Sequence, residues 1–191
     1  MILLALTEEA RRSKNGAVEQ LLEQIAKGDS TAMGDLYDLI HRDVFAYALS
    51  KTANRHNAED VMQDTFLQVY RYAPQYRPQG KPMAWIMTIE RNLVLRQQQR
   101  QSRVEYLDET LENTWDGEDC AEQIETRQLI EGLLARLSEE EREVVVLHVV
   151  SGMKHREIAS LMGKPLSTVL SKYNRAMKKL KTMIQKGEQN V

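Results

Sequence analysis

Cysteine is nearly absent from this sequence, in which Cys120 is the only one among 191 residues. A single thiol excludes a disulfide framework and a zinc site built from cysteines, and it suits a reducing compartment. Long apolar runs are absent too: away from the N-terminus the longest aliphatic stretch is Val144–Leu147, far short of the roughly 20 residues of a membrane span. The apolar N-terminus lacks a preceding basic residue and is followed by Glu8 and Glu9, so we expect no signal peptide and a cytoplasmic protein.

Proline and glycine are scarce as well, at 4 and 9 residues, whereas Leu, Ala, Glu, Gln, Lys and Arg are abundant. Hydrophobic residues make up 42% and charged residues 28% of the chain, which excludes wholesale disorder. This composition predicts an all-α protein. The length allows either one medium domain or two small ones.

The net charge of −2 conceals a strong segregation of charge along the chain. Between residues 71 and 103, Glu90 is the only acid among the basic residues Arg71, Arg77, Lys81, Arg91, Arg96, Arg100 and Arg103. Residues 104–126 contain many acids and no basic residue, and residues 158–187 contain no acid beside Lys164, Lys172, Arg175, Lys178, Lys179, Lys181 and Lys186. One charged run is often a solvated face, but two basic blocks around an acidic spacer favour a polyanion bound at two places.

The acidic spacer also divides the chain. It lacks a sustained helical period and contains the turn-like sequence Asn113–Gly117. A structureless segment of this length is unusual inside one compact domain. We therefore predict a tail at residues 1–16, a helical domain at 17–103, a flexible linker at 104–126 and a second helical domain at 127–187.

The N-terminal half shows helical periods throughout. We expect a short amphipathic helix around Val18–Ile25, a longer one over about residues 30–53, and a third that begins with Asn57 as its N-cap and ends near residue 72. The inner face of the third helix contains Val61, Thr65, Phe66 and Val69. A loop from about residue 73 to Gly80 precedes a last helix that begins at Pro82, because proline fits the first helical turn.

The C-terminal half is a series of short helices, in which Ser138 and Glu141 form a capping box. The last two helices fit a helix-turn-helix: Ala159 is small where the helices cross, Gly163 permits a left-handed turn, and Val169 fills the core between them. The final helix then projects residues of the types that contact bases and phosphates, namely Ser167, Thr168, Ser171, Lys172, Arg175, Lys178 and Lys179. A helical hairpin with a basic exposed face is the alternative.

These segments, in this order, resemble the motifs of one family, the extracytoplasmic-function (group 4) sigma factors of bacterial RNA polymerase. Residues Ala58–Phe66 are similar to the family's region 2.2, and Ala84–Ile86 with Arg91–Leu93 are similar to regions 2.3 and 2.4. The similarity to region 4 rests on Leu137–Ser138, Glu141–Arg142, Val145, Glu157–Ala159 and Ser167–Val169. The resemblance covers roughly residues 17–187.

For the first domain, the resemblance implies contacts with core RNA polymerase and with the −10 promoter element. The contacts to the clamp helices of the β′ subunit would come from Asp60, Gln63, Asp64 and Phe66. An ordinary solvated helix end is the alternative for these acids. The −10 strand would be melted and held by Tyr76, Arg77, Arg91, Asn92, Arg96 and Arg100. The loop from Pro74 to Gly80 corresponds to the family's pocket for a flipped −10 base, while Trp85 is expected to be a core residue.

For the second domain, the resemblance implies that the last helix enters the major groove of the −35 element and that the polymerase β flap is a further partner. The implied −35 contacts are Ser167, Thr168, Ser171, Lys172, Arg175 and Lys178. Lys164 and Leu170 depart from the family's usual apolar and basic residues, which leaves the −35 sequence preference open. The acidic linker would run through the polymerase cleft, and an anti-sigma factor, often membrane-bound, is the expected regulator.

An enzyme is the alternative from a different class. His56 with Asp60, or His41 with Asp43, lies close enough in sequence for a metal site. The chain has no P-loop, nucleophile elbow, HExxH motif or glycine-rich cradle, so we expect no catalysis, cofactor, metal or small-molecule substrate. A nearer alternative is a two-domain helix-turn-helix regulator that does not engage core polymerase. The region-2-like half favours the sigma factor, and no role is expected for Cys120.

Overall fold

The computed structural model describes residues 2–104 and 132–188, and the side chains of residues 9–100 and 132–185. The N-terminal half contains α1 (Ile2–Ala26), α2 (Thr31–Thr52), α3 (Arg55–Tyr72), a 3-10 turn (Ala73–Gln75) and α4 (Pro82–Val104). The C-terminal half contains α5 (Glu139–Val145), a π-helical turn (Val146–Val150), α6 (His155–Met162) and α7 (Leu166–Glu188). Within these two ranges no strand occurs, so the predicted all-α fold is confirmed. Val104, the first residue of the expected acidic linker at 104–126, ends α4, and the rest of that linker, with Cys120, lies outside the described residues.

The helices of the N-terminal half begin and end where local signals place them, with two differences. α3 begins at Arg55 rather than after Asn57, because Asn54 is the N-cap and its side chain accepts a 2.9 Å bond from the Asn57 amide. The prediction of Asn57 as the cap is therefore wrong by one turn. α1 extends back to Ile2, so residues 2–16 continue the helix expected around Val18.

The core of the N-terminal half is formed by apolar stripes of all four helices. The fully buried side chains include Leu22 of α1, Leu36 and Ile40 of α2, Val69 of α3 and Ile86 of α4. Because each stripe repeats at helical spacing, the four helices pack their inner faces together and leave their charged faces in solvent. Pro82 begins α4 as predicted.

The helix-turn-helix of the C-terminal half has the predicted geometry. Gly163 ends α6 with a φ of 63°, in the left-handed region that glycine adopts without strain. Ala159 is 7% exposed and Val169 is fully buried, so both lie in the core where α6 and α7 meet. The Ser138–Glu141 capping box at the start of α5 is also present.

One irregularity in the C-terminal half has no counterpart in the sequence prediction. After α5 the helix widens into a π-helical turn, in which the Ser151 amide bonds to the Val146 carbonyl five residues earlier. The widened turn shifts the apolar period, so Val149 is 60% exposed although it lies in a hydrophobic run. His148 takes the half-buried position instead.

The two halves pack against each other and share one hydrophobic core in the described part of the chain. Leu147 and Met153 pack into the same cluster as the core residues of α2 and α4. The Ser151 hydroxyl lies 3.8 Å from the Met87 sulfur, and the Arg11 side chain lies against Gly152. None of the described helices has an apolar stretch long enough to cross a membrane.

Candidate nucleic-acid and polymerase interfaces

The outward face of α3 is acidic at its start and apolar further along. Asp60, Gln63 and Asp64 are exposed, as a contact surface requires. Phe66 is different: it is 6% exposed, and its ring centroid lies 5.0 Å from that of Tyr37 on α2. The residues that carry apolar surface on the open side are Leu67, 66% exposed, and Tyr70, 56% exposed. The sequence analysis did not select either side chain for the polymerase contact.

The histidines and aspartates considered for a metal site contact other side chains or the backbone. His56 Nε2 lies 3.8 Å from Asp60 Oδ2 in an exposed pair on the first turns of α3. The His41 ring stacks on Tyr37, and its Nδ1 lies 2.9 Å from the Tyr37 carbonyl, whereas Asp43 is paired with Lys14. Within the described residues, no three His, Cys, Asp or Glu side chains form a group that could hold a metal ion.

Three of the candidate −10 residues of α4 form an exposed row, and the fourth, Arg91, is paired with an acid of the C-terminal half. Asn92, Arg96 and Arg100 follow one another at four-residue spacing and are exposed, so they form a cationic row along one face of the helix. Arg91 is instead half-buried, and its Nε lies 3.3 Å from Glu143 Oε1 of the C-terminal half. A DNA phosphate at this position would have to compete with Glu143 for the guanidinium.

The loop before α4 is ordered by contacts with α1. Tyr76 is 8% exposed, its ring lies 5.1 Å from the Trp85 ring, and its hydroxyl donates a 2.8 Å bond to Glu19. Burial first, and then the bond to Glu19, raise the pKa of Tyr76 well above its usual range, so the hydroxyl remains a donor. Tyr76 is therefore a buried residue that supports the loop, and its ring is not free to stack on a DNA base. Arg77 is exposed at the tip.

Glu143 is the polar centre of the contact between the two halves. Its carboxylate is almost completely buried and accepts bonds from Tyr47 Oη at 2.9 Å and from Lys51 Nζ at 3.1 Å, in addition to Arg91. Burial, and then the Glu143 carboxylate, raise the pKa of Tyr47 far above its usual range, which keeps the phenol protonated. Three donors from α2 and α4 therefore satisfy one carboxylate of α5. No local pattern points to this contact, since Tyr47 and Glu143 are 96 residues apart.

The helix-turn-helix exposes most of its predicted DNA contacts. Ser167, Ser171, Arg175 and Lys178 are exposed, and Thr168 is half-exposed on the same helix. The Arg175 guanidinium is held beside α7 by a 3.0 Å bond from Nη2 to the Ser171 hydroxyl. These groups form a continuous polar and cationic surface at the start of α7.

Lys172 is less free than its neighbours, because an acid of α5 holds it. Glu140 pairs with Lys172 through one carboxylate oxygen and with Lys164, in the turn, through the other. The hydrogen bonds from Lys164 and Lys172 lower the pKa of Glu140 to about 2. Glu140 thus joins the turn to α7 and neutralises part of the basic face.

An aromatic cluster lies behind the helix-turn-helix. The rings of His148 and His155 are 4.1 Å apart, and the edge of Tyr173 meets both. His148 Nδ1 lies 2.8 Å from the Met153 carbonyl. Burial, and then His148, lower the pKa of His155, which favours its neutral form. Both rings pack against Tyr173 of α7.

The fold and these surfaces define a two-part helical protein with a helix-turn-helix and a second basic helix. Comparison with protein families agrees: the model of sigma-70 region 2 matches residues 36–104, and that of sigma-70 region 4 matches residues 127–180. The chain is 32% identical over 170 residues to the ECF RNA polymerase sigma factor SigE of Mycolicibacterium smegmatis, covering 84% of this chain and 66% of that protein. It is 23% identical over 181 residues to SigW of Bacillus subtilis, covering 88% of this chain and 97% of that protein.

Solved structures share the arrangement. CnrH, solved in complex with the cytosolic domain of CnrY, superposes with a TM-score of 0.62 at 25% identity, covering 88% of this chain and 97% of that chain. RpoE from Bartonella quintana, solved with the anti-sigma factor NepR, has the same fold, with a TM-score of 0.67 at 24% identity and coverage of 80% and 96%.

The chain belongs to the sigma-70 family of RNA polymerase sigma factors, as an extracytoplasmic-function member. The match to region 2 decides between the two sequence-based alternatives, because a stand-alone helix-turn-helix regulator has no need of this region.

Proposed function

We propose that this chain binds bacterial core RNA polymerase through the outward face of α3 and directs it to promoters through α4 and α7. The observation that carries the proposal is the exposed row of Asn92, Arg96 and Arg100 on a helix that follows an ordered loop and matches sigma region 2. Single-stranded DNA binding requires a cationic track of this kind. On α3, Asp60, Gln63 and Asp64 would contact a basic polymerase surface, with Leu67 and Tyr70 adding apolar area and Phe66 supporting the helix from inside.

The second DNA contact in this proposal is the −35 element, bound by the start of α7. The exposed side chains there suit the major groove, where hydroxyls and arginines contact base edges and phosphates. Contact with the β flap belongs to the same proposal. The role needs no catalysis by this chain. In this proposal the protein acts with the polymerase in the cytoplasm.

Run-off transcription tests the proposal directly. Core polymerase would be incubated with a pool of promoter-bearing fragments, with and without this protein. Discrete transcripts that depend on the protein are the expected result, and the sequences upstream of their starts give both promoter elements. Absence of transcripts together with absence of a core complex in gel filtration would contradict the proposal.

Arg175→Ala is expected to reduce transcription from these promoters about 5- to 150-fold, because one arginine contact to DNA contributes about 1–3 kcal/mol. Core binding, measured by gel filtration, should not change, since Arg175 lies on the exposed face of α7. Lys181→Ala on the same helix is the matched control and should have a small effect. Equal loss of transcription and core binding in Arg175→Ala would show a structural role instead.

Control by an anti-sigma factor is also part of the proposal. The support is the likeness in fold to the Bartonella quintana RpoE, which was solved with the anti-sigma factor NepR. Co-purification of the tagged chain from its own cells, followed by mass spectrometry, tests it. A partner whose addition abolishes run-off transcription is the expected result.

A further inference from the structure

A carboxylate of α1 organises the loop that precedes α4. Glu19 Oε1 accepts three hydrogen bonds from this loop: from Tyr76 Oη at 2.8 Å, from the Gly80 amide at 3.0 Å and from the Gln79 amide at 3.1 Å. The donors lie 57 to 61 residues further along the chain, so the contact ties two distant segments together. No feature of the sequence points to Glu19.

The geometry shows that Glu19 anchors the loop to α1 through hydrogen bonds, unlike an acid that only faces solvent. Two backbone N–H groups and a phenol converge on one oxygen, and hydrogen bonds to a carboxylate are roughly twice as strong as bonds between neutral groups. Gly80 has a φ of 65°, which lets the chain turn so that successive amides point at the same oxygen. Tyr76, whose ring packs on Trp85, donates the third bond from the start of the loop.

The loop itself has few other restraints. Arg77, Pro78, Gln79 and Gly80 are all exposed. Without Glu19 the two amides would be solvated by water and the loop would sample many conformations, while the helices around it would keep their packing. Loss of Glu19 therefore changes the order of the loop more than the stability of the fold.

We propose that Glu19 is the positioning residue of the −10 region: it holds the loop at 76–80 in the shape that accepts an unpaired promoter base. This inference rests on the proposed function, since the use of the loop comes from that role. Pre-organisation lowers the entropy lost when the base binds. Glu19 itself does not touch DNA; it acts through the loop backbone.

Two variants and one control test the role. Glu19→Ala removes the acceptor, whereas Glu19→Gln keeps a neutral carbonyl oxygen that can accept the same bonds. Glu23→Ala is the control, because Glu23 is an exposed acid one turn later on α1 and its loss changes the charge equally. Holoenzymes made with each variant would be tested on a promoter recovered by run-off transcription.

The expected result is a drop of about tenfold or more in open-complex formation by Glu19→Ala, read as permanganate reactivity of unpaired thymines in the −10 region. Glu19→Gln should recover most of the loss, and Glu23→Ala should equal the wild type. Hydrogen exchange of the full-length free protein should show faster exchange at the Gln79 and Gly80 amides in Glu19→Ala, with α2 and α3 unchanged. Binding to a duplex that carries only the −35 element should also be unchanged.

The outcomes separate the inference from the proposed function. Wild-type open-complex formation by Glu19→Ala would overturn the inference and leave the sigma role intact. An equal loss of open complexes and of protection throughout α2 and α3 would overturn it too, because Glu19 would then be a structural residue. Absence of transcripts with the wild-type protein would overturn the proposed function and the inference together.

Discussion

Replacing Glu143 with alanine should lower the free energy of unfolding by about 3–5 kcal/mol, the usual effect of removing one partner from a buried ionic cluster. The carboxylate is 3% exposed, and its loss leaves the Tyr47 hydroxyl, Lys51 and Arg91 without the acceptor they share. Lys51 Nζ would still pair with Glu139 Oε1 at 2.5 Å, but the Lys51 side chain is only 7% exposed and is poorly solvated. Urea unfolding followed by circular dichroism gives the difference in free energy.

Two further variants show how much of the lost free energy of unfolding comes from the charge of Glu143. Tyr47→Phe removes one neutral donor and should cost about 1 kcal/mol. Glu143→Gln keeps an acceptor for Tyr47 and removes the charge that faces the two cations, so its effect should lie between the other two. An effect of Glu143→Ala below about 1 kcal/mol would contradict the contact between the halves. The halves would then be expected to unfold in separate transitions.

This contact also involves a residue of the predicted promoter surface. Arg91 belongs to the predicted −10 residues, yet its Nε is bonded to an acid of the C-terminal half. The basic surface of α4 is therefore partly neutralised within the chain, just as Glu140 partly neutralises that of α7. Basic blocks and their acidic counterparts lie far apart in sequence, so charge patterning alone predicts candidate binding surfaces but not the acids that pair with them.

The sequence predicted the helix-turn-helix and the start of α4 well, because a local signal fixes the backbone at both places, whereas the N-cap of α3 was misplaced from Asn54 to Asn57. Gly163, Ala159 and Val169 define the helix-turn-helix by spacing, and Pro82 marks the start of α4, because each requirement is met within a few residues. Long-range contacts gave no such signal. Glu19 and Glu143 are ordinary acids of amphipathic helices until the fold brings their donors to them.

Phe66 shows how two kinds of sequence argument diverge. The helical period places it with Val61, Thr65 and Val69 on the inner face of α3, while family resemblance implied a polymerase contact. The structure agrees with the period, since Phe66 is 6% exposed. The adjacent Leu67 has the exposed apolar surface instead. Periodicity reports burial from this chain's own residues, which a motif match does not.

Replacing Glu90 with methionine should raise the free energy of unfolding at neutral pH by about 1–3 kcal/mol, the range for a buried polar group without a hydrogen bond. Glu90 is completely buried in α4, and within the described residues neither carboxyl oxygen forms a hydrogen bond of normal geometry; the Ala48 backbone approaches the carboxyl and only partly offsets its burial. Methionine is unbranched, of similar size and flexible enough to fill the same space. Urea unfolding at pH 7 measures the gain.

The dependence of this gain on pH identifies its cause. Burial first, and then the nearby Asp43 carboxylate, raise the pKa of Glu90 well above 4.5 in the folded protein. Between the unfolded and folded values the folded state binds the proton that the unfolded state has lost, so the wild type loses stability as pH rises above about 4.5. The advantage of Glu90→Met should therefore grow from pH 4.5 upward, while groups common to both proteins, such as His155, cancel in the difference.

Glu90→Gln separates titration from polarity. Glutamine cannot ionise, so its stability should follow the same pH dependence as Glu90→Met, but its buried amide still lacks partners and should give a smaller gain. If the difference between Glu90→Met and the wild type stays constant from about pH 4.5 to 8, the carboxyl does not titrate in that range. If both replacements destabilise the protein, Glu90 is charged and paired in solution, and the core of α4 depends on that charge.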